Sequence, residues 1–177
     1  MSKDKAERRK KVIEVLNKAR SMELFAISQY MLQHYALDAM DYGELARDMK
    51  LIAIDEMRHA EDFAERIQDL DGEPTTELDD TVKRGQDIET IFSFDTDLED
   101  DTVDAYNQFL QTCREMGDSI SAKLFERIID EEQEHMDHFD NVAGHIKNLG
   151  NVYLSKVAGT DASTGGPSKG FILPEGE

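Results

Sequence analysis

Two parts of this chain carry the same three potential metal ligands at the same spacing. The two sets of glutamate, glutamate and histidine are Glu23, Glu56 and His59, then Glu99, Glu132 and His135. In both copies the second glutamate lies 33 positions after the first, and the histidine lies 36 positions after it. A tyrosine follows the first glutamate of each copy by seven positions, at Tyr30 and Tyr106. Such a duplication is expected when two helical hairpins close around one site for two metal ions.

The candidate ligands lie on the apolar faces of their predicted helices. Glu23 shares a helical stripe with Leu16 and Tyr30, and the second copy shows the same pattern. The spacing of three in each Glu-x-x-His motif places both side chains on one face, about 5 to 6 Å apart at Cβ. Four carboxylates buried together without counter-charge would cost several kcal/mol each or take up protons. Two divalent cations would neutralise them, and the alternative is a buried network of protonated carboxyl groups.

Four long segments have apolar residues at the helical period, and the three prolines of the chain lie outside them. The predicted helices run from about Lys5 to Leu37, Tyr42 to Leu70, Ile88 to Met116 and Ser119 to Leu149. Short turns at Tyr42-Gly43 and Gly117-Asp118 pair them as two antiparallel hairpins. The sequence therefore predicts an all-α fold.

The polar connection between the second and third helices is too long for a tight turn and is expected to cross the length of the bundle. A four-helix bundle with one long crossover is the topology of ferritin-like folds. A short apolar stretch after Gly150 predicts a fifth helix. We therefore expect a ferritin-like bundle with a short fifth helix over residues 1–159 and a flexible C-terminal tail over residues 160–177.

Composition excludes several classes of function. The 177 residues are enough for one domain, and the net charge of −19 disfavours nucleic acid as a partner. Cys113 is the single cysteine, so no internal disulfide is possible, and residues 1–5 lead into charged sequence without the apolar core of a signal peptide. With no apolar run long enough to span a membrane, the sequence predicts a soluble cytoplasmic protein with no membrane partner.

Mixed carboxylate and imidazole ligands suit iron or manganese better than a closed zinc site, and redox-active iron is the preferred interpretation. The His-Glu-x-x-His signature of zinc proteases is absent from the sequence. His34, His138 and His145 have no glutamate three positions earlier and are interpreted as structural. Tyr30 and Tyr106 are common core residues, but their position also suits a hydrogen bond to a metal-binding carboxylate.

The ligand pattern, together with Tyr30 and the run Ile54-Asp55-Glu56-Met57-Arg58-His59-Ala60, resembles bacterioferritin over about Val12 to Ala158. His135 discriminates within the superfamily, because classical ferritins are expected to lack a Glu-x-x-His in the last helix. The absence of Cys-x-x-Cys argues against a complete rubrerythrin, and mini-ferritins usually build their iron site between subunits.

The resemblance implies iron storage and detoxification by a homo-oligomer, a hollow shell of 24 subunits built of two-fold dimers. Each subunit would act as a ferroxidase, oxidising Fe(II) with oxygen or hydrogen peroxide and storing the ferric mineral. By the same resemblance Glu56 and Glu132 would bridge two irons, Glu23 and His59 would complete one, and Glu99 and His135 the other. A ferredoxin-type protein would donate electrons for iron release.

Met57 follows Glu56 directly and is expected to point outward from the second helix. From the sequence alone it is ordinary contact surface. The resemblance implies instead that Met57 ligates a haem shared between two subunits, with one haem per two chains and a second thioether supplied across a two-fold axis. Such a haem would assist electron transfer to the mineral.

Two other functions remain open at the level of sequence. A di-iron oxidase or peroxidase of the rubrerythrin-like type would have the same ligands in a dimer without a mineral. A helical interaction protein without catalytic activity would bind no metal.

Overall fold

The computed structural model describes residues 3–165 and 170–171, and every regular element in those ranges is a helix. The five helices are α1 Lys3–Ala39, α2 Gly43–Asp69, α3 Ile88–Glu115, α4 Ser119–Leu149 and α5 Asn151–Val157. The predicted all-α fold is confirmed, and the four long helices begin and end close to the positions expected from the sequence. Residues 166–169 and 172–177, part of the tail predicted to be flexible, lie outside the described residues.

The turns within the two hairpins end one helix and start the next within a few residues. At the first turn the backbone of Asp41 is left-handed, with φ of 66°, and at the second Gly117 has φ of 75°. Asp118 then accepts hydrogen bonds from the backbone amides of Ile120 and Ser121, which caps α4. Because both turns are short, α1 packs against α2 and α3 packs against α4 as antiparallel neighbours.

The connection from α2 to α3 runs back along α1, as expected for a crossover. Asn17 exchanges hydrogen bonds with the backbone of Glu73 and Thr75. Further along α1, Gln29 accepts a hydrogen bond of 2.7 Å from the Lys83 amide. The crossover therefore returns the chain to the far end of the bundle, so that α3 is antiparallel to α1.

The core consists of two apolar clusters at different heights in the bundle. One cluster is built around Leu37, Met49, Ile52, Phe92 and Phe139, all at most 2% exposed. The other contains Leu16, Phe63, Tyr106, Phe125 and Ile128, of which none is exposed. Side chains of this size each contribute roughly 1.5–3 kcal/mol by full burial. The polar groups between the clusters are thus surrounded by tightly packed apolar side chains.

The chain after α5 packs against the start of α2. Tyr42 and Thr160 form an isolated parallel bridge, and the Thr160 hydroxyl accepts a 2.7 Å hydrogen bond from the Glu44 amide. A Cβ at Gly43 would lie 1.9 Å from the Thr160 carbonyl oxygen, so the close approach requires glycine there. None of the helices in the described ranges is long and apolar enough to cross a membrane.

Candidate metal centre

All six side chains of the duplicated pattern meet in the centre of the bundle. Glu23, Glu56, His59, Glu99, Glu132 and His135 are each at most 2% exposed. α1 and α3 each supply one glutamate, while α2 and α4 each supply a Glu-x-x-His pair. They lie between the two apolar clusters, where unpaired carboxylates are costly.

The six residues form two groups of four that share two members. In one group, ligand atoms of Glu23, Glu56, His59 and Glu132 all lie within 4.8 Å of one another. In the other, the same holds for Glu56, Glu99, Glu132 and His135. Glu56 and Glu132 belong to both groups, so an ion in either group would have both of these carboxylates within reach.

Both imidazole rings direct Nδ1 at the shared carboxylates. His59 Nδ1 lies 3.0 Å from Glu56 Oε2 and 3.1 Å from Glu132 Oε1. His135 Nδ1 lies 3.0 Å from Glu56 Oε1 and 3.0 Å from Glu132 Oε2. Each Nδ1 is aligned for a hydrogen bond with Oε2 of the glutamate in its own motif, so among the described residues the buried Oε1 atoms of Glu56 and Glu132 have no aligned donor. Buried acceptors that converge on one point without aligned donors fit a site for cations.

In the absence of metal, protons occupy part of this cluster. Burial, reinforced by the charges of Glu132 and Glu56, raises the pKa of Glu23 and of Glu99 well above its ordinary value. Burial alone would lower the pKa of His59 and of His135. The neighbouring carboxylates outweigh this effect and raise both pKa values, chiefly through Glu132 for His59 and through Glu56 for His135.

The carboxylate of Glu56 behaves in the opposite way. Burial alone would raise its pKa, but the nearby imidazoles of His135 and His59 more than offset this and lower it. A carboxylate held ionised between protonated histidines is what a metal-free cation site is expected to contain.

Each tyrosine singled out in the sequence binds the glutamate of the other copy. The Tyr30 hydroxyl on α1 donates a hydrogen bond to Glu99 on α3, and the Tyr106 hydroxyl on α3 donates one to Glu23 on α1. Both rings are fully buried. These bonds cross between the hairpins and orient the two outer carboxylates. The role of both tyrosines beside a metal ion stays a prediction.

Sequence reasoning missed two carboxylates that contact the far side of the imidazoles. Glu131 Oε2 lies 2.9 Å from His59 Nε2, and Asp55 Oδ2 lies 3.7 Å from His135 Nε2. Each of these acids directly precedes the glutamate of a Glu-x-x-His motif. The presence of an acidic residue at this position in both copies is the sequence feature that could have identified them. A carboxylate on Nε2 leaves Nδ1 for a metal ion.

On the α1 and α3 side, a cavity of about 190 Å³ reaches the cluster. Glu23 and Glu99 lie among its lining residues, together with Asp79, Asp80 and Asp101. Acidic side chains along such a passage attract cations toward the buried carboxylates.

The remaining histidines lie outside both ligand groups. His34 Nδ1 is 2.7 Å from the Ala46 carbonyl oxygen, as expected of a buried histidine with a local partner. His145 is exposed and lies against Tyr153, with 5.1 Å between ring centres and the rings tilted by 37°. His138 is partly buried and lies against Phe171.

The fold and the paired Glu-x-x-His centre define a ferritin-like protein, and residues 13–149 match the family model of the ferritin-like domain. The chain is 61% identical over 172 residues to a bacterioferritin of Desulfovibrio desulfuricans, covering 97% of this chain and 96% of that protein. It is also 35% identical over 147 residues to a bacterioferritin of Streptomyces coelicolor, covering 82% and 88% of the two chains.

Solved structures give the same result. The crystal structure of the Desulfovibrio desulfuricans bacterioferritin, which describes its diiron site in different catalytic states, superposes with a TM-score of 0.92 over 97% of this chain and 100% of the other, at 61% identity. A Mycobacterium tuberculosis bacterioferritin superposes with a TM-score of 0.79 at 33% identity, over 83% and 93% of the two chains. The chain therefore belongs to the bacterioferritins, as the resemblance in its sequence indicated.

Proposed function

We propose that this protein is a ferroxidase that binds Fe(II) in pairs, oxidises it with oxygen or hydrogen peroxide, and stores the ferric product. The observation that carries the proposal is the pair of buried ligand groups with Glu56 and Glu132 in common. Two ions held this close can together deliver two electrons to one oxidant. Glu23 and His59 would complete one half of the site, and Glu99 and His135 the other.

The residues of the chain position the substrate iron and accept its charge. Four carboxylates balance two divalent ions, and the hydrogen bonds from Tyr30 and Tyr106 keep the outer carboxylates in place. Fe(II) must displace the protons held on the histidines and outer glutamates, so its binding releases protons. The acidic cavity beside Glu23 and Glu99 supplies the route by which Fe(II) reaches them.

The test is the rate of Fe(II) oxidation by Glu56→Gln. This change removes one charge from the residue common to both halves, and we expect the initial rate to fall by at least about 10-fold, since even outer partners of metal ligands contribute that much. Glu65→Gln is the matched control, because Glu65 is exposed on the same helix. Equal rates for the wild type and Glu56→Gln would refute the ferroxidase assignment.

We also infer that the chain assembles into a 24-subunit shell that encloses the mineral, as the family resemblance implies. Light scattering on the purified protein, before and after loading with iron, is the direct measurement. A shell that gains mass on loading supports storage. A dimer with rapid Fe(II) oxidation and no mineral would point to a di-iron oxidase or peroxidase of the rubrerythrin-like type. By the same resemblance we infer a cytoplasmic location and a ferredoxin-type electron donor.

We further propose that Met57 ligates a haem between two subunits. Met57 is a large apolar side chain on the surface of α2 and is 54% exposed. It lines a surface cavity of about 460 Å³ together with four apolar residues, Leu24, Ile27, Ala60 and Ala64, and two charged residues, Arg20 and Glu61. An exposed thioether in a largely apolar hollow with two charged residues in its lining would suit a flat ligand such as a haem, and a two-fold axis would supply a second Met57. When bound, the haem would supply electron transfer for iron release.

Met57→Leu separates the haem proposal from the ferroxidase proposal. We expect the variant to lose the visible absorption bands of haem while oxidising Fe(II) at the normal rate, because Met57 lies outside both ligand groups. Met40→Leu, at another exposed methionine, is the control and should retain the bands. Retention of haem by Met57→Leu would contradict the assignment of the axial ligand.

A further inference from the structure

The residues Gly170 and Phe171 lie against the α2 and α4 side of the candidate metal centre. The Phe171 backbone amide donates a hydrogen bond to Asp55 Oδ2. The Phe171 ring lies 4.9 Å from the His138 ring and 6.3 Å from the His135 ring, measured between centres. This two-residue stretch, which we call the C-terminal clip, thus contacts both the imidazole of His135 and the carboxylate beside it.

The two imidazoles of the site differ in how closely a carboxylate approaches their Nε2 atoms. Glu131 reaches His59 Nε2 at 2.9 Å, within hydrogen-bond distance, and is itself fixed by Arg127 at 2.8 Å. The side chain of Asp55 is one methylene shorter than that of Glu131, and its Oδ2 lies 3.7 Å from His135 Nε2. The His135 half of the site therefore has the weaker carboxylate support, and it is the half that the clip contacts.

The C-terminal clip and an arginine both donate hydrogen bonds to the Asp55 carboxylate. Arg58 donates a 2.8 Å hydrogen bond to Asp55 Oδ1, while the Phe171 amide binds Oδ2, the oxygen that faces His135. With both oxygens restrained, the carboxylate plane of Asp55 is fixed relative to the imidazole. The Phe171 ring closes the same side with an apolar surface.

Glycine at position 170 is required by this contact. Its φ of 38° lies in the left-handed region, and a Cβ there would fall 1.7 Å from Asp55 Oδ1 and 2.3 Å from the Arg58 guanidinium. Asp55 is 2% exposed and has little room to move aside. A side chain at position 170 must therefore displace the clip from Asp55.

We propose that the C-terminal clip is a positioning element of the metal centre, which fixes Asp55 through the Phe171 amide and so orients His135 for metal binding. The proposal rests on the proposed function of the six ligands as a two-metal site. It predicts that the loss of the clip weakens the half of the site containing Glu99 and His135, and leaves the half containing Glu23 and His59 unchanged.

Cobalt(II) titration of the metal-free, full-length protein tests the proposal without using iron oxidation. The visible bands of Co(II) report ion binding at the buried ligands. For the wild type we expect two ions per chain with similar affinity. For Gly170→Ala we expect one ion with unchanged affinity and a second weakened about 10-fold, the lower end of the effect of outer partners on metal affinity.

Three further variants make the result specific. Phe171→Ala keeps the amide and removes the ring, and it should weaken the second ion less than Gly170→Ala does. Adding Asp55→Glu to Gly170→Ala lengthens the carboxylate to that of Glu131 and should restore the affinity to within about 2-fold. Gly144→Ala is the matched control, because a Cβ there meets nothing within 4 Å. Hydrogen exchange at the Phe171 amide should be slow in the wild type and fast in Gly170→Ala.

The outcomes distinguish this proposal from the one on which it rests. If the wild type binds no pair of Co(II) ions, the two-metal site itself is refuted. If the wild type binds two ions and Gly170→Ala binds both with unchanged affinity, the clip has no positioning role. Loss of affinity at both halves, or failure of Asp55→Glu to restore it, would also overturn the proposal.

Discussion

The crossed tyrosines show how single hydroxyl groups organise the centre at the scale of the residue. Tyr30 and Tyr106 each bind the outer glutamate of the other hairpin, and burial, reinforced by the charge of that glutamate, raises the pKa of both phenols well above its ordinary value. The phenols therefore stay protonated and remain donors across the physiological range.

Tyr106→Phe is expected to slow Fe(II) oxidation, because Glu23 would lose the donor that orients it. A reduction of about 10-fold is the scale for outer partners of metal ligands, and leaving the buried carboxyl group of Glu23 without its hydrogen-bond donor should cost about 1–3 kcal/mol of stability. Stopped-flow oxidation and denaturant unfolding measure the two effects. Tyr35→Phe, which alters a tyrosine that is 63% exposed, should change neither quantity.

At the scale of the element, the start of α4 is tied to α2 by one carboxylate. Asp118 caps α4 and also accepts hydrogen bonds of 3.0 and 2.9 Å from Arg66 of α2. Burial alone would raise the pKa of Asp118, but hydrogen bonds from Ser121 and Arg66 lower it below its ordinary value. Asp118 therefore links the two hairpins. This link lies at the end of the bundle opposite the start of α3.

Asp118→Ala should destabilise the protein, since the cap and the contact with Arg66 are lost together. The loss of a cap alone costs about 0.5–2 kcal/mol. The difference between variant and wild type should shrink in acid, because the stabilisation by a carboxylate of lowered pKa is lost as the pH falls through that pKa. Denaturant unfolding at several pH values measures both effects. Asp87→Ala is the control, as Asp87 precedes α3 without a side-chain bond to a helix amide.

At the scale of the whole molecule, the buried cluster makes stability depend on pH and on metal. Glu23, Glu99, His59 and His135 all have raised pKa values in the folded protein, chiefly through burial for the glutamates and through neighbouring carboxylates for the histidines. The folded, metal-free state therefore binds more protons than the unfolded state above the ordinary pKa of these groups. Stability must fall as the pH rises through that range.

We expect the Tm of the metal-free protein to fall by several degrees between about pH 5 and pH 8, and to recover when a divalent cation replaces the protons. Differential scanning calorimetry with and without Mn(II) measures this. A variant carrying both Glu23→Gln and Glu99→Gln should show a shallower slope, because two of the titrating groups are gone. A metal-free Tm that rises over the same pH range would contradict the assignment of protons to the cluster.

The sequence by itself determined the class of fold and the six residues that meet at its centre. Helical period, proline placement and turn residues are local properties, and the repeated spacing of 33 and 36 residues sets the depth of each ligand along its hairpin. Any packing of two such hairpins through their apolar faces brings these side chains to the same level.

Only the tertiary structure decided which groups contact the six candidate ligands from outside the cluster. The crossed bonds of Tyr30 and Tyr106, the unequal reach of Glu131 and Asp55, and the position of Phe171 depend on how neighbouring helices rotate and slide against each other. Differences of about one ångström, such as the methylene between aspartate and glutamate, set these contacts. Residue type and spacing do not encode distances that fine, because they arise from the packing of the whole bundle.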